Sequence, residues 1–393
     1  MVAVSKYLSF LFAFSFLVSC AKKPTISGTI EFSENSNYKR TVYLIQPQKL
    51  EEVAASFFGK VIDSAEVEEN GRFQFKELPT ILEPTLFEIA IQQHGNRTNQ
   101  LQNDNPLTDN YMPIVLQKEE SIEITTHAEN FQQNFQFKNP SEENAALVRL
   151  KNVKVEAFQQ FLQHQHWDIH EGSQLLEKEE AHLNYQKALF QFAESSDYLI
   201  PSLVALRWIS PENDYERVPE FLFQQCEQWK PASHPWATQL CQKADKENLP
   251  VLEGTMFPNA QIPLNTGDTI AIYSQLGEKL TIIDLWASWC VPCRKENSAF
   301  LVPLWDAYHD KGFQIIAYGL ETSKEAWENA IEKDGAYRWL HASDLQGDEA
   351  AFMKTLRLQT IPANFLLDEE GRVIAKNLHG ADLQQFVTTY LQQ

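Results

Sequence analysis

Two cysteines carry the most pointed chemistry in this sequence. Leu280-Thr281-Ile282-Ile283-Asp284-Leu285-Trp286 reads as a buried strand, unusual for its Asp, and runs through Ala287-Ser288-Trp289 into Cys290-Val291-Pro292-Cys293. A helix follows from about Val291, with Phe300, Leu301, Leu304 and Tyr308 as its apolar face. A Cys-x-x-Cys at a strand-to-helix junction suits thiol–disulfide exchange. The first thiol lies at the helix start, where unpaired N–H groups and the helix dipole stabilise a thiolate. The second lies one turn on, on the same face, within reach for a disulfide. Pro292 suits the first turn, where its missing N–H costs nothing. The rival use of a lone Cys-x-x-Cys is half of a zinc site. That needs a second pair, and Cys226 and Cys241 lack the spacing.

The elements that must position these thiols follow in order. Gly312–Tyr318 reads as a second strand, Lys324–Glu332 as a helix, Ala363–Asp368 and Val373–Ala375 as strands, and Asp382–Leu391 as a final helix. The Trp-Cys-x-Pro-Cys form and this order resemble the thioredoxin superfamily. The resemblance implies that Pro362 is a cis-proline facing the cysteines and keeping metal from them. It implies that the Ile361 backbone pairs with a substrate segment and that Trp289, Ile361 and Pro362 are substrate-binding residues. Arg294-Lys295-Glu296, the run Pro362–Gly371 and the segment Glu325–Arg357 further resemble the TlpA/ResA group of exported, membrane-tethered oxidoreductases. Val291 departs from the Gly of many relatives, at a position that tunes reduction potential.

Within that resemblance two carboxylates take roles. Asp284 is expected behind the cysteine pair, where burial raises a carboxyl pKa and lets it exchange a proton with Cys293. Glu296, one helical turn beyond Cys293, is expected either to tune the thiols or to be a solvated helix residue.

The N-terminus reads as an address. Lys6 precedes an apolar run over residues 7–19, too short for a membrane-spanning helix of about 20 residues. Leu17-Val18-Ser19-Cys20 resembles a bacterial lipoprotein signal, which implies removal of residues 1–19 and lipidation of Cys20.

Residues 20–140 read as an all-β sandwich of short strands, with Phe131–Phe137 as its last strand and Asn70-Gly71 as a type I′ hairpin turn. Residues 94–110 read as a long polar loop. Residues 141–250 turn to helical spacing, broken at Pro211, Pro231 and Pro235, and read as a helical spacer. Cys226 and Cys241 flank the turn of a helix hairpin at similar heights, so a structural disulfide is the favoured pairing over two free thiols. His164, His166 and His170 read as an exposed helix face rather than a metal site. Residues 251–393 complete a multidomain chain with an α/β thioredoxin-like unit.

The chain has 393 residues, 43% hydrophobic and 22% charged, with 33 basic against 53 acidic groups and a net charge of −20. These proportions exclude a disordered or multi-span membrane protein. The acidic balance excludes a general nucleic-acid binder, which needs a basic surface.

The expected activity is an envelope thiol–disulfide oxidoreductase, with Cys290 as attacker and Cys293 as resolver. It needs no cofactor and no metal. The resemblance implies disulfide-bearing exported proteins as substrates, apocytochromes c among them in cytochrome c maturation. It also implies a membrane electron-transfer thiol protein as electron donor. A buried acid favours a reductase over an oxidase or isomerase. A peroxiredoxin-like peroxidase is disfavoured, because Ile283 and Trp286 stand where that site needs Pro and Thr or Ser. A third alternative is a binding lipoprotein in which the redox unit is secondary.

Overall fold

The computed structural model describes residues 23–167, 174–212 and 214–392. Cys20, the signal segment and His170 lie outside the described residues. Among the described residues no helix is long and apolar enough to cross a membrane.

The N-terminal third is built from β1 (Thr25–Glu31), β2 (Tyr38–Gln46), β3 (Lys60–Glu66), β4 (Arg72–Gln74), β5 (Thr85–Gln93), β6 (Tyr111–Leu116), β7 (Ser121–His127), helix α1 (Phe131–Asn134) and β8 (Gln136–Lys138). They form two four-stranded sheets, β4-β1-β7-β8 and β3-β2-β5-β6. β7 alternates buried and exposed along its length, as a strand with one dry face must, whereas the inner strand β5 is buried throughout its middle.

Two expectations are corrected here. Phe131–Asn134 is a helical turn, and only Gln136–Lys138 is strand. Phe131 and Phe135 are both fully buried. Their spacing of four fits either period, so the apolar pattern did not discriminate. The Asn70-Gly71 turn is not type I′, because Gly71 alone has positive φ, at 83°. The strands it joins, β3 and β4, belong to different sheets.

Helices α2 (Glu142–Phe161), α3 (Leu175–Ser195), α4 (Leu199–Ile209), α5 (Pro219–Trp229) and α6 (Pro235–Lys243) follow. α2 ends before His164 and His166, so these are not on a helix face as expected. The helices share one apolar core with the two sheets, running from Ile26 to Leu252. Arg207 of α4 is fully buried and donates through Nε to the Val53 carbonyl at 2.9 Å.

A second core, from Phe257 to Leu391, belongs to the C-terminal third. Its elements are β9 (Gln261–Pro263), β10 (Thr269–Ala271), β11 (Leu280–Trp286), α7 (Val291–Glu296), α8 (Val302–Tyr308), β12 (Phe313–Gly319), α9 (Lys324–Asp334), β13 (Leu340–Ala342), α10 (Ala351–Leu356), β14 (Ala363–Leu367), β15 (Val373–Lys376) and α11 (Gly380–Leu391). The sheet order is β13-β12-β11-β14-β15. β11 pairs parallel with β12 and antiparallel with β14, which places it at the centre, buried along its whole length. α7 runs into α8 through a π-helical turn, Asn297–Leu301. Pro303 lies at the first turn of α8 and has no N–H for the preceding ladder, a local cause of that irregularity.

Candidate active site

β11 delivers the chain to the end of the sheet, and α7 starts just beyond the short loop that follows, with Cys290 as its N-cap. The intervening loop is fixed from two sides. The Glu321 carboxylate accepts from the Ser288 backbone N–H and, at 2.9 Å, from its hydroxyl. Arg294 donates to the Ser288 carbonyl at 3.1 Å. The same guanidinium grips Asp334 of α9 through Nε and, at 2.6 Å, through Nη2. Bidentate pairing of this kind holds orientation as well as distance.

Cys290 and Cys293 are joined as a disulfide. The Cys293 N–H points at the Cys290 sulfur, 3.3 Å away. This helix-start donor stabilises a thiolate on Cys290 once the bond is reduced. The two cysteines are 5% and 3% exposed, while Trp289 beside them is 63% exposed. The site therefore presents a sheltered sulfur pair beneath an aromatic lip.

The Ile361–Pro362 peptide bond is cis. Register places it at the same end of the sheet as the cysteine loop. Leu285 of β11 pairs with Ala363 of β14, so the residues just before Ala363 lie at the end of β11 from which the cysteine loop departs. Pro362 is buried and Ile361 half-buried.

Asp284 sits mid-sheet, paired in register with Ala317 and Asn364, and is 5% exposed. Its carboxyl takes no hydrogen bond from the protein among the described residues. Burial holds its pKa well above the ordinary carboxyl range, and the charge of Glu296 pushes the same way. A carboxylate so placed is a stronger base than an exposed one.

Glu296 is 3% exposed, not a solvated helix residue. It accepts from the Gly380 N–H at 3.0 Å and meets His379 Nδ1 at 2.8 Å. It thus joins α7 to the start of α11, where a carboxylate is favoured by the helix dipole.

The structure places Cys290, Cys293, Trp289, Ile361 and Pro362 at one end of the sheet, with Glu296 at the far end of α7 and Asp284 within β11. Cys226 and Cys241 lie elsewhere, bonded to each other across the α5–α6 hairpin with Cα atoms 4.9 Å apart. Sequence reasoning missed Glu321, Asp334 and His379. Their partners lie 33, 40 and 83 residues away, so no local pattern signals them.

A cysteine pair at a helix start, a cis-proline opposite it and a buried acid below define a thioredoxin-fold dithiol oxidoreductase. Sequence comparison with known proteins agrees. Residues 252–389 match the family described as Redoxin. Thiol-disulfide oxidoreductase ResA of Bacillus cereus is 29% identical over 150 residues, covering 38% of this chain and 82% of the relative. Sporulation thiol-disulfide oxidoreductase A of Bacillus subtilis (strain 168) is 30% identical over 107 residues, covering 27% of this chain and 62% of that protein. The solved thioredoxin domain of a Bacteroides vulgatus thiol-disulfide oxidoreductase is 28% identical, covering 36% of this chain and 99% of that one, with a TM-score of 0.33. The C-terminal part of the chain is a ResA-like thiol–disulfide oxidoreductase domain of thioredoxin fold.

Proposed function

We propose that this chain is a lipid-anchored reductase of disulfides in exported proteins of the cell envelope. The observation that carries the reading is the buried, partnerless Asp284 on the strand leading to a helix-start dithiol. Such an acid opposes a strongly stabilised thiolate in the reduced pair. A pair whose reduced form is not stabilised gives electrons away rather than taking them.

In the proposed cycle the Cys290 thiolate attacks one sulfur of a substrate disulfide. A mixed disulfide forms, and the first substrate thiolate leaves and is protonated from water. Asp284, in its carboxylate form, takes the Cys293 proton as the Cys293 sulfur attacks the Cys290 sulfur and displaces the second substrate sulfur. The second substrate thiolate leaves and takes up a proton. The substrate gains two electrons and two protons, and the chain ends as the Cys290–Cys293 disulfide. Trp289 shields the exchanging sulfurs, and Ile361 offers its backbone to an extended substrate segment. A membrane dithiol protein resets the pair.

The N-terminal sheets, read as a β-sandwich, and the helical segment hold the redox domain away from an anchor at Cys20. The domain boundary is read at 250/251; the first apolar core ends at Leu252 and the second begins at Phe257, which supports a boundary in this stretch. Cys226–Cys241 is read as a structural disulfide suited to an oxidising compartment.

The test is a trap. Cys293→Ser removes the resolving thiol, so mixed disulfides through Cys290 should accumulate with Cys-bearing exported proteins, apocytochromes c first among the candidates. Mass spectrometry identifies them, and a trap holding only glutathione or nothing refutes the protein-reductase reading. Cys20→Ala should release the chain from membranes or block its processing, and a wild-type chain recovered wholly in the soluble fraction refutes the anchor.

A further inference from the structure

The helical segment reaches into the redox site. The turn between α4 and α5 carries Glu216 and Arg217, and both side chains end on the loop that contains the cis-proline. One Glu216 oxygen accepts the Gln359 N–H at 3.1 Å, and the other accepts the Thr360 N–H at 3.0 Å. Arg217 commits all three guanidinium nitrogens. Nη2 donates to the Pro362 carbonyl at 3.1 Å, and Nη1 to the Asn377 side chain at 3.2 Å, just past β15. Nε pairs with Glu179 of α3 at 2.9 Å, which orients the fork from behind.

The two residues hold the loop on both sides of Ile361. Proline has no N–H to offer, and the Ile361 N–H and C=O take no partner among the described residues. The peptide groups of the loop are therefore tied down around the one residue whose own backbone stays open. Neighbouring contacts make the attachment firm: Glu220, at the start of α5, pairs with Lys376 at 2.7 Å and accepts the Glu253 N–H at 3.0 Å. Isolated exposed ion pairs contribute little, but a carboxylate accepting two backbone N–H groups and a guanidinium donating three ways fix geometry.

We propose that the Glu216–Arg217 turn is a positioning clamp, which presents the Ile361 peptide group, already aligned, to the backbone of an extended disulfide-bearing polypeptide. Neither residue touches the exchanging sulfurs. The clamp acts on substrates with a backbone to pair, and a small disulfide without peptide groups gains nothing from it. The helical segment thereby belongs to the substrate-recognition apparatus. This inference rests on the protein-disulfide reading above.

The test compares insulin with bis(2-hydroxyethyl) disulfide, using the full chain. Glu216→Ala and Arg217→Ala should raise the KM for insulin about 5- to 10-fold with kcat changed less than about 2-fold, the loss of one or two charge-assisted hydrogen bonds. The ratio of kcat/KM for insulin to that for the small disulfide should fall accordingly. Glu216→Gln keeps one acceptor oxygen and should recover part of the loss. A ratio unchanged in both alanine variants, with the wild type reducing insulin, overturns the clamp alone. A wild type that turns over the small disulfide but not insulin overturns the clamp and the protein-reductase reading together. Hydrogen exchange on the wild-type chain needs no variant. The Gln359 and Thr360 amides should exchange at least about 10-fold more slowly than the Ile361 amide. Equal or faster exchange at those two positions overturns the proposal.

Discussion

The chain holds two disulfides, and the surroundings of each set its chemistry. Cys226 and Cys241 are 15 residues apart and lie in the second halves of α5 and α6, toward the negative ends of both helix dipoles. Those positions disfavour a thiolate. Cys290 and Cys293 are three residues apart at a helix start, with an amide aimed at the first sulfur and a buried acid on the strand below. On the proposed function, the same bond is a staple in one place and an exchange centre in the other. The buried acids differ in parallel. Asp109 in the N-terminal third is paired with Lys154 at 2.9 Å, and Gln132 and Asn103 accept from the same ammonium. Asp284 has no such cation. A satisfied buried carboxylate supports a fold, whereas a partnerless one stays free to trade a proton.

The largest expected effect breaks the comparison if it fails. Cys290→Ser should abolish insulin reduction, while Cys226→Ser should leave the rate within about 2-fold. Losing the 15-residue loop closure should instead cost about 3 kcal/mol of stability in the chain-entropy view. Insulin turnover and denaturant unfolding read the two effects separately. A Cys226→Ser chain that loses turnover at unchanged stability would make both disulfides redox centres.

Asp284→Asn should slow the resolving step by about 100-fold, the range of a lost general base. Stopped-flow decay of the mixed disulfide measures it. The same change should stabilise the fold at alkaline pH. The folded-state pKa of Asp284 is raised, so the native chain binds the extra proton, and its contribution to stability falls as pH climbs from the ordinary carboxyl range toward the raised value. Removing the ionisable group removes that decline, by at least about 1 kcal/mol. Equal pH dependence of unfolding in the two proteins would place the titration elsewhere.

The smallest effect sharpens the picture. Glu296→Gln removes a negative charge that helps keep Asp284 protonated. The pH profile of the resolving step should shift to lower pH, with its maximum changed less than about 10-fold. A shift in the opposite direction would show that Glu296 acts through its His379 and Gly380 contacts instead.

Much of the redox site was legible in the sequence because its parts are local. The Cys290–Cys293 spacing, Pro292 in the first helical turn and an Asp inside the apolar run Leu280–Trp286 all state their use within a few residues. Pro362 was legible through resemblance. Elsewhere local pattern misled. Phe131 and Phe135 satisfied two periods at once, and Asn70-Gly71 looked like a hairpin turn although its flanking strands enter different sheets.

The sequence by itself determined the helix-start placement and close spacing of Cys290 and Cys293, since both follow from neighbours along the chain. Only the tertiary structure decided what holds them in place. Glu321 on Ser288, Asp334 on Arg294, Glu296 at the start of α11 and the Glu216–Arg217 grip on the cis-proline loop join residues 33 to 145 positions apart. Charged side chains at such distances carry no periodic signature, because each would be equally at home in water. Their partners are chosen when the sheet brings its strand ends together and the helical segment packs against them.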